Sequence, residues 1–113
     1  MLIYNITMKV NNSIHDEWLQ WQQQIHIPEI MATGCFEKYQ LSRILDIDDA
    51  DGPTYAVQYY VAGDEASNRY LELFATNLRK HALETCASGF VGFCRRMRCG
   101  QWLWNLFKLS FLG

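Results

Sequence analysis

The spacing of hydrophobic residues follows the order two, 3.6, two, two, 3.6, two along the chain. That order limits the available folds more than any other feature of the sequence. Leu2, Tyr4, Ile6, Met8 and Val10 alternate with Ile3, Asn5, Thr7 and Lys9, which predicts a strand over residues 2–9 with one face buried. Asn11, Asn12 and Ser13 break the alternation. Ser13 is expected to cap a helix by accepting a backbone N–H, with Asp16 and Glu17 suiting its positive end. Ile14, Trp18, Trp21 and Ile25 then fall at steps of four, three and four, a core stripe. His15, Leu19, Gln22 and His26 form the neighbouring stripe. Its two histidines lie about 16 Å apart along a helix axis, too far to share a metal.

Pro28 lacks an N–H, its ring crowds the carbonyl of Gln24, and it disfavours helical geometry at Ile27. The helix is therefore expected to bend or restart there, with Pro28 in the first turn of the new segment. Gly34 can take the left-handed conformation that ends that segment. "HIPEIMATG" thus reads as a kinked helix end feeding a strand. A histidine among freed carbonyls can make a pocket, or it can be a structural joint.

The stretch 35–47 reads as a second strand, with Tyr39, Leu41, Arg43, Leu45 and Ile47 on one face and Lys38, Gln40 and Ser42 on the other. "DDADGP" is a turn, and "TYAVQYYVA" a third strand, giving an antiparallel hairpin. Asp64 is expected to cap a second helix that buries Tyr70, Leu71, Phe74, Leu78 and Ala82 and leaves Arg69, Glu72, Arg79 and Lys80 solvated. Ser88 and Gly89 end the connection, and "FVGFCRRMR" reads as a fourth strand. The expected fold class is α+β: a ferredoxin-like β-α-β-β-α-β sandwich, a four-stranded antiparallel sheet with two helices on one face.

Residues 1–99 are expected to form this single domain, and residues 100–113 a hydrophobic C-terminal extension. The extension crowds Trp102, Leu103, Trp104, Leu106, Phe107, Leu109, Phe111 and Leu112 together, so it needs cover from its own core, a second subunit or a membrane surface. It is too short to span a bilayer, and no apolar run in the chain reaches about 18 residues, so no transmembrane span is expected. Two helices shield one face of a four-stranded sheet. The other face is read as carrying large apolar groups, notably on the third strand, which predicts a homodimer through the open sheet face.

Charge is uneven. All twelve acids lie in residues 1–89 with six Lys or Arg, whereas residues 90–113 hold Arg95, Arg96, Arg98, Lys108 and no acid. A basic tail on an acidic body is not the basic, aromatic-studded face that nucleic-acid binding needs, so no nucleic-acid partner is expected. The start lacks a basic segment followed by an apolar block, and Cys35, Cys86, Cys94 and Cys99 have no C-x-x-C spacing. These features predict a cytoplasmic protein with reduced thiols.

"IYNIT", "HDEWLQW", "HIPEIMATGCF", "GPTYAVQYY", "RYLELFATNLRKHAL" and "FVGF" together resemble domain-of-unknown-function family 4286, a group of small bacterial proteins. The resemblance covers residues 1 to about 94. It implies a ferredoxin-like protomer of the dimeric α/β barrel type, and it carries no established activity. That wider superfamily includes cofactor-independent monooxygenases, haem-degrading enzymes and isomerases, which often hold the ligand between sheet and helices. The resemblance also implies an end soon after the last strand. "CRRMRCGQWLWNLFKLSFLG" departs from that pattern, as a divergent extension or a shifted reading frame would.

Among candidate site residues, His26 stands first, because imidazole titrates near neutrality and can serve as base or as ligand to haem iron. Hydrogen bonding to a kink carbonyl is its structural alternative. Trp18, Gln22, Tyr4, Tyr55 and Tyr59 complete the candidate ligand-binding set; as structure, the same aromatics would fill a core or a dimer face. The acidic turn Asp46, Asp48, Asp49, Asp51 lacks the glutamate of a calcium loop. Cys94 and Cys99 lack the second pair a zinc site needs. No resident metal or cofactor is expected. The sequence points to a non-enzymatic dimeric domain, or one that binds a small apolar ligand between sheet and helices in a pocket by His26. The alternatives are a cofactor-independent oxygenase or isomerase using His26, and membrane-surface association through the tail.

Overall fold

The computed structural model describes residues 1–85 and 89–99. The expectations for Cys86, Ser88 and the extension 100–113 lie outside the described residues. Four strands are present: β1 (Leu2–Val10), β2 (Lys38–Ile44), β3 (Thr54–Val61) and β4 (Phe90–Arg98). They form one sheet in the order β2-β3-β1-β4, with every neighbouring pair antiparallel. The helices are α1 (His15–Trp21), α2 (Ile27–Ala32), α3 (Asp64–Leu73) and α4 (Ala75–Thr85). This is the ferredoxin-like plan expected from the order of hydrophobic periods, with the two helical layers on one sheet face.

The alternation in β1 produces its burial. Leu2, Tyr4, Met8 and Val10 are buried. Register carries the same face across the sheet: Tyr4 lies opposite Tyr59 and Arg96, and Ile6 opposite Val57 and Cys94. In β3 the buried set is Tyr55, Val57, Tyr59 and Val61. These residues join Trp18, Ile27, Ile30, Phe36 and Tyr70 in one core.

Several local expectations are corrected. Ser13 does not cap α1; it sits in a 3-10 turn, Asn12–Ile14, and α1 starts with no side-chain cap. Asn12 instead ties that turn to the β2–β3 connection, its Nδ2 donating to the Ala50 carbonyl at 3.0 Å. Asp64 is not a cap either. Gly63 holds that position, and Asp64 pairs with Arg98 at 3.0 Å.

The bend before Pro28 takes the form of a π-helical turn, Gln22–His26, in which the Ile27 N–H donates to the Gln22 carbonyl. A widened turn is one way for a helix to carry a proline that cannot donate to the turn before it. The chain advances fewer degrees per residue there, so the simple stripe fails beyond Trp21. Ile25, expected in the core, is 46 % exposed, whereas His26 is 7 % exposed. Gly34 adopts φ +75°, the left-handed conformation expected of it.

The apolar content of the open face is also corrected. On β3 that face presents Ala56, Gln58 and Tyr60, since Tyr55, Val57, Tyr59 and Val61 point at the helices. Its most exposed apolar groups lie on β4, at Val91 (79 % exposed) and Phe93 (54 %).

Candidate functional site

Between the sheet and the helices lies a half-open pocket of about 540 Å³. Its floor is β1, β3 and β4, and its roof is the π-turn with α2, α3 and α4. Most of the wall is apolar, with Ile6, Met8, Ile30, Val57, Leu78 and Ala82 contributing. Alternation in the strands and the Ala75–Leu78–Ala82 spacing in α4 aim these residues inward, and the two alanines leave room where larger side chains would fill it.

The polar groups are few and specific. Gln22, His26 and Tyr59 all line the pocket and are at least nine-tenths buried. Gln22 Oε1, His26 Nδ1 and Tyr59 Oη have no hydrogen-bond partner among the described residues. Gln22 makes only a long contact, its Nε2 lying 3.8 Å from Met8 Sδ. Buried polar atoms ordinarily find partners, because leaving one unpaired costs about 1–3 kcal/mol. Three around one pocket, two from the roof and one from the floor, mark a place where a polar ligand group would be accepted.

His26 stacks on Trp21 with centroids 4.5 Å apart and planes at 16°. Burial holds its pKa down to about 4, with Glu29 opposing the shift only in part. The ring is therefore neutral at pH 7 and offers one donor and one acceptor. Burial pushes Tyr59 and Tyr70 well above the ordinary phenol range. Tyr4 is pushed up to about 12, by burial first and by the neighbouring Cys94 second. All three tyrosines stay protonated near neutrality.

The expected site residues divide into two groups. His26, Gln22, Tyr4 and Tyr59 come together on the pocket wall. Trp18 and Tyr55 do not line it. Their rings pack on each other at 5.2 Å, and the Tyr55 hydroxyl lies 2.6 Å from His15 Nε2. That contact leaves His15 half-buried. Three polar lining residues lie outside the expected set: Tyr70, Arg79 and Cys94. Arg79 stays exposed, as expected, and also donates from Nη2 to the Tyr4 hydroxyl at 3.3 Å. Its signal was its place four residues from both Ala75 and Leu83, on the flank of the buried stripe. Cys94 lines the pocket from β4, opposite Ile6.

Other polar clusters have ordinary partners. Asp49 pairs with Arg43 at 3.0 Å, and Asp48 accepts the Ala50 N–H. His81 Nδ1 lies 3.2 Å from Glu29, tying α4 to α2. Among the described residues no three His, Cys, Asp or Glu side chains are grouped to hold a metal.

Solved structures share this arrangement at low identity. An ethyl tert-butyl ether d (ethd) family protein from Bacillus halodurans superposes with a TM-score of 0.64 and 11% identity, covering 88% of this chain and 100% of its own. SnoaB, a cofactor-independent oxygenase from Streptomyces nogalater, gives 0.62 and 13%, covering 88% and 94%. A dimeric ferredoxin-like protein from an uncultured marine organism gives 0.61 and 8%, also covering 88% and 94%. At these identities the likeness is one of fold. Among curated proteins none matches the chain. A family model matches residues 1–99, and the chain belongs to that family, a domain of unknown function (DUF4286).

Proposed function

We propose that the protein is a binding domain for a compact, mainly apolar small molecule held between the sheet and the helices. The observation that carries this reading is the apolar pocket of about 540 Å³ whose wall holds three buried polar atoms without partners. Small-molecule sites have this character: a concave apolar body with a few fixed polar groups. The apolar wall favours the ligand's body, and Gln22 Oε1, His26 and the Tyr59 hydroxyl select its polar group.

His26 fits binding better than catalysis. A general base works best with a pKa near the operating pH, and burial leaves His26 near 4. The oxygenase activity in the name of one fold neighbour is therefore the weaker reading for this chain.

A second copy of the chain is the proposed partner on the open sheet face. The exposed Val91 and Phe93 support this, as does the dimeric description of two fold neighbours.

The test uses 1-naphthol, an apolar body with one hydroxyl, titrated by fluorescence. Saturable one-to-one binding is expected. Ala82→Phe and Ile30→Phe, each checked for folding by circular dichroism, fill the pocket and abolish it. No saturable binding, or equal binding by both filled variants, overturns the reading.

A further inference from the structure

Among the described residues, the pocket wall contains one cation and no anion. Arg79 lines it, and no Asp or Glu does. The ion pairs among the described residues are Arg43–Asp49, Lys80–Glu84, His81–Glu29 and Arg98–Asp64, none of which involves Arg79. Its one hydrogen bond among the described residues goes to the Tyr4 hydroxyl, and burial keeps that phenol protonated. Arg79 is exposed, so the remaining N–H donors of its guanidinium face solvent at the pocket mouth, where a ligand group can replace water. Arg96 adds charge nearby. It sits opposite Tyr4 in the β1–β4 ladder, and among the described residues its Nη1 donates to the neutral Ser67 hydroxyl at 3.4 Å.

From this juxtaposition we infer that the ligand is an amphipathic carboxylate, its apolar body in the pocket and its carboxylate on Arg79 beside Tyr4. The inference rests on the binding-domain reading and names the ligand class for the same pocket. A planar carboxylate matches the fork of a guanidinium through two parallel N–H···O bonds, an arrangement a point charge does not reproduce. A cationic ligand would meet Arg79, with no acid among the described lining residues to receive it. A neutral ligand would leave the exposed guanidinium facing solvent and draw nothing from its charge. Gln22, His26 and Tyr59 then serve any second polar group on the ligand body.

The experiment compares 1-naphthoate with 1-naphthamide, which has nearly the same shape and no charge, by calorimetry at low and high salt. The wild type is expected to bind naphthoate at least about tenfold more tightly, with the gap narrowing as salt rises. Arg79→Gln is expected to erase the gap; Arg79→Lys keeps part of it. Equal affinity for the two probes in the wild type, or a gap that survives Arg79→Gln, overturns the inference. If naphthamide and 1-naphthol bind while naphthoate gains nothing, the pocket reading stands and only the carboxylate assignment falls. If none of the three binds, both fall.

Discussion

His26 shows how burial converts a side chain's chemistry. The unfolded chain protonates this ring near pH 6.5, whereas in the fold desolvation holds the pKa near 4. Between those values the unfolded state binds more protons, so stability is fully present above about pH 6.5 and is lost as pH falls toward 4. Acidification from pH 7 to 4.5 is expected to cost wild type about 2–3 kcal/mol more than it costs His26→Gln, as read from urea unfolding at both pH values. Equal losses in the two proteins would show that His26 is not desolvated as described. Tyr59 makes the opposite trade. Its buried hydroxyl lacks a partner among the described residues, so Tyr59→Phe should raise the stability of the ligand-free protein by about 1 kcal/mol. The same change should weaken 1-naphthol. A thermal melt and the titration check the two halves, and a destabilised Phe variant would mean that the hydroxyl has a partner after all. At this scale the sequence was informative about residue type and silent about pairing. It marked His26 and Tyr59 as candidates, but a phenol without a partner is visible only once every neighbour is in place.

Among the elements, the turn before Pro28 decides what reaches the pocket. A regular helix through residues 14–32 would keep Ile25 in line with Trp18 and Trp21. The π-turn instead exposes Ile25 and puts Gln22 and His26 on the buried face. The proline predicted an irregularity, but not that it would lie upstream as a widened turn, because the choice between bend and π-turn depends on what the sheet below will accept. The β2–β3 connection is the other local device. Gly52 adopts φ +152°, and a Cβ built there would lie 1.7 Å from the Val10 carbonyl oxygen. The connection is sewn to the end of β1 through Val10 N–H to Pro53 O at 2.9 Å and Asn12 N–H to Asp51 O at 3.0 Å. Gly52→Ala must break this seam, because the obstruction is backbone and not a flexible side chain. It is expected to destabilise the protein by about 2 kcal/mol or more, read as a lowered thermal midpoint. A midpoint within about one degree of wild type would mean that the connection relaxes freely.

For the molecule as a whole, the open sheet face is the unsolved surface. Register places Lys9, Lys38 and Arg95 on it with no carboxylate, among Ile3, Tyr60, Val91, Phe93 and Met97. Two such faces attract through apolar burial and repel through like charge. The proposed dimer should therefore tighten as salt rises, and Phe93→Glu should weaken it at high salt, as measured by light scattering on a sizing column. Dimers that dissociate on adding salt, or a monomer under all conditions, would remove this face as the interface. The succession of periods along the chain determined the element types, their order and hence the split βαβ plan, because each period permits one way of burying an apolar face and the connections leave few topologies open. The tertiary structure alone decided which face of β3 met the helices, that Trp18 and Tyr55 would pack on each other away from the pocket, and that Arg79 would reach Tyr4, 75 positions away in sequence. Those outcomes depend on the stacking of layers and on register between distant strands, and no local spacing encodes either.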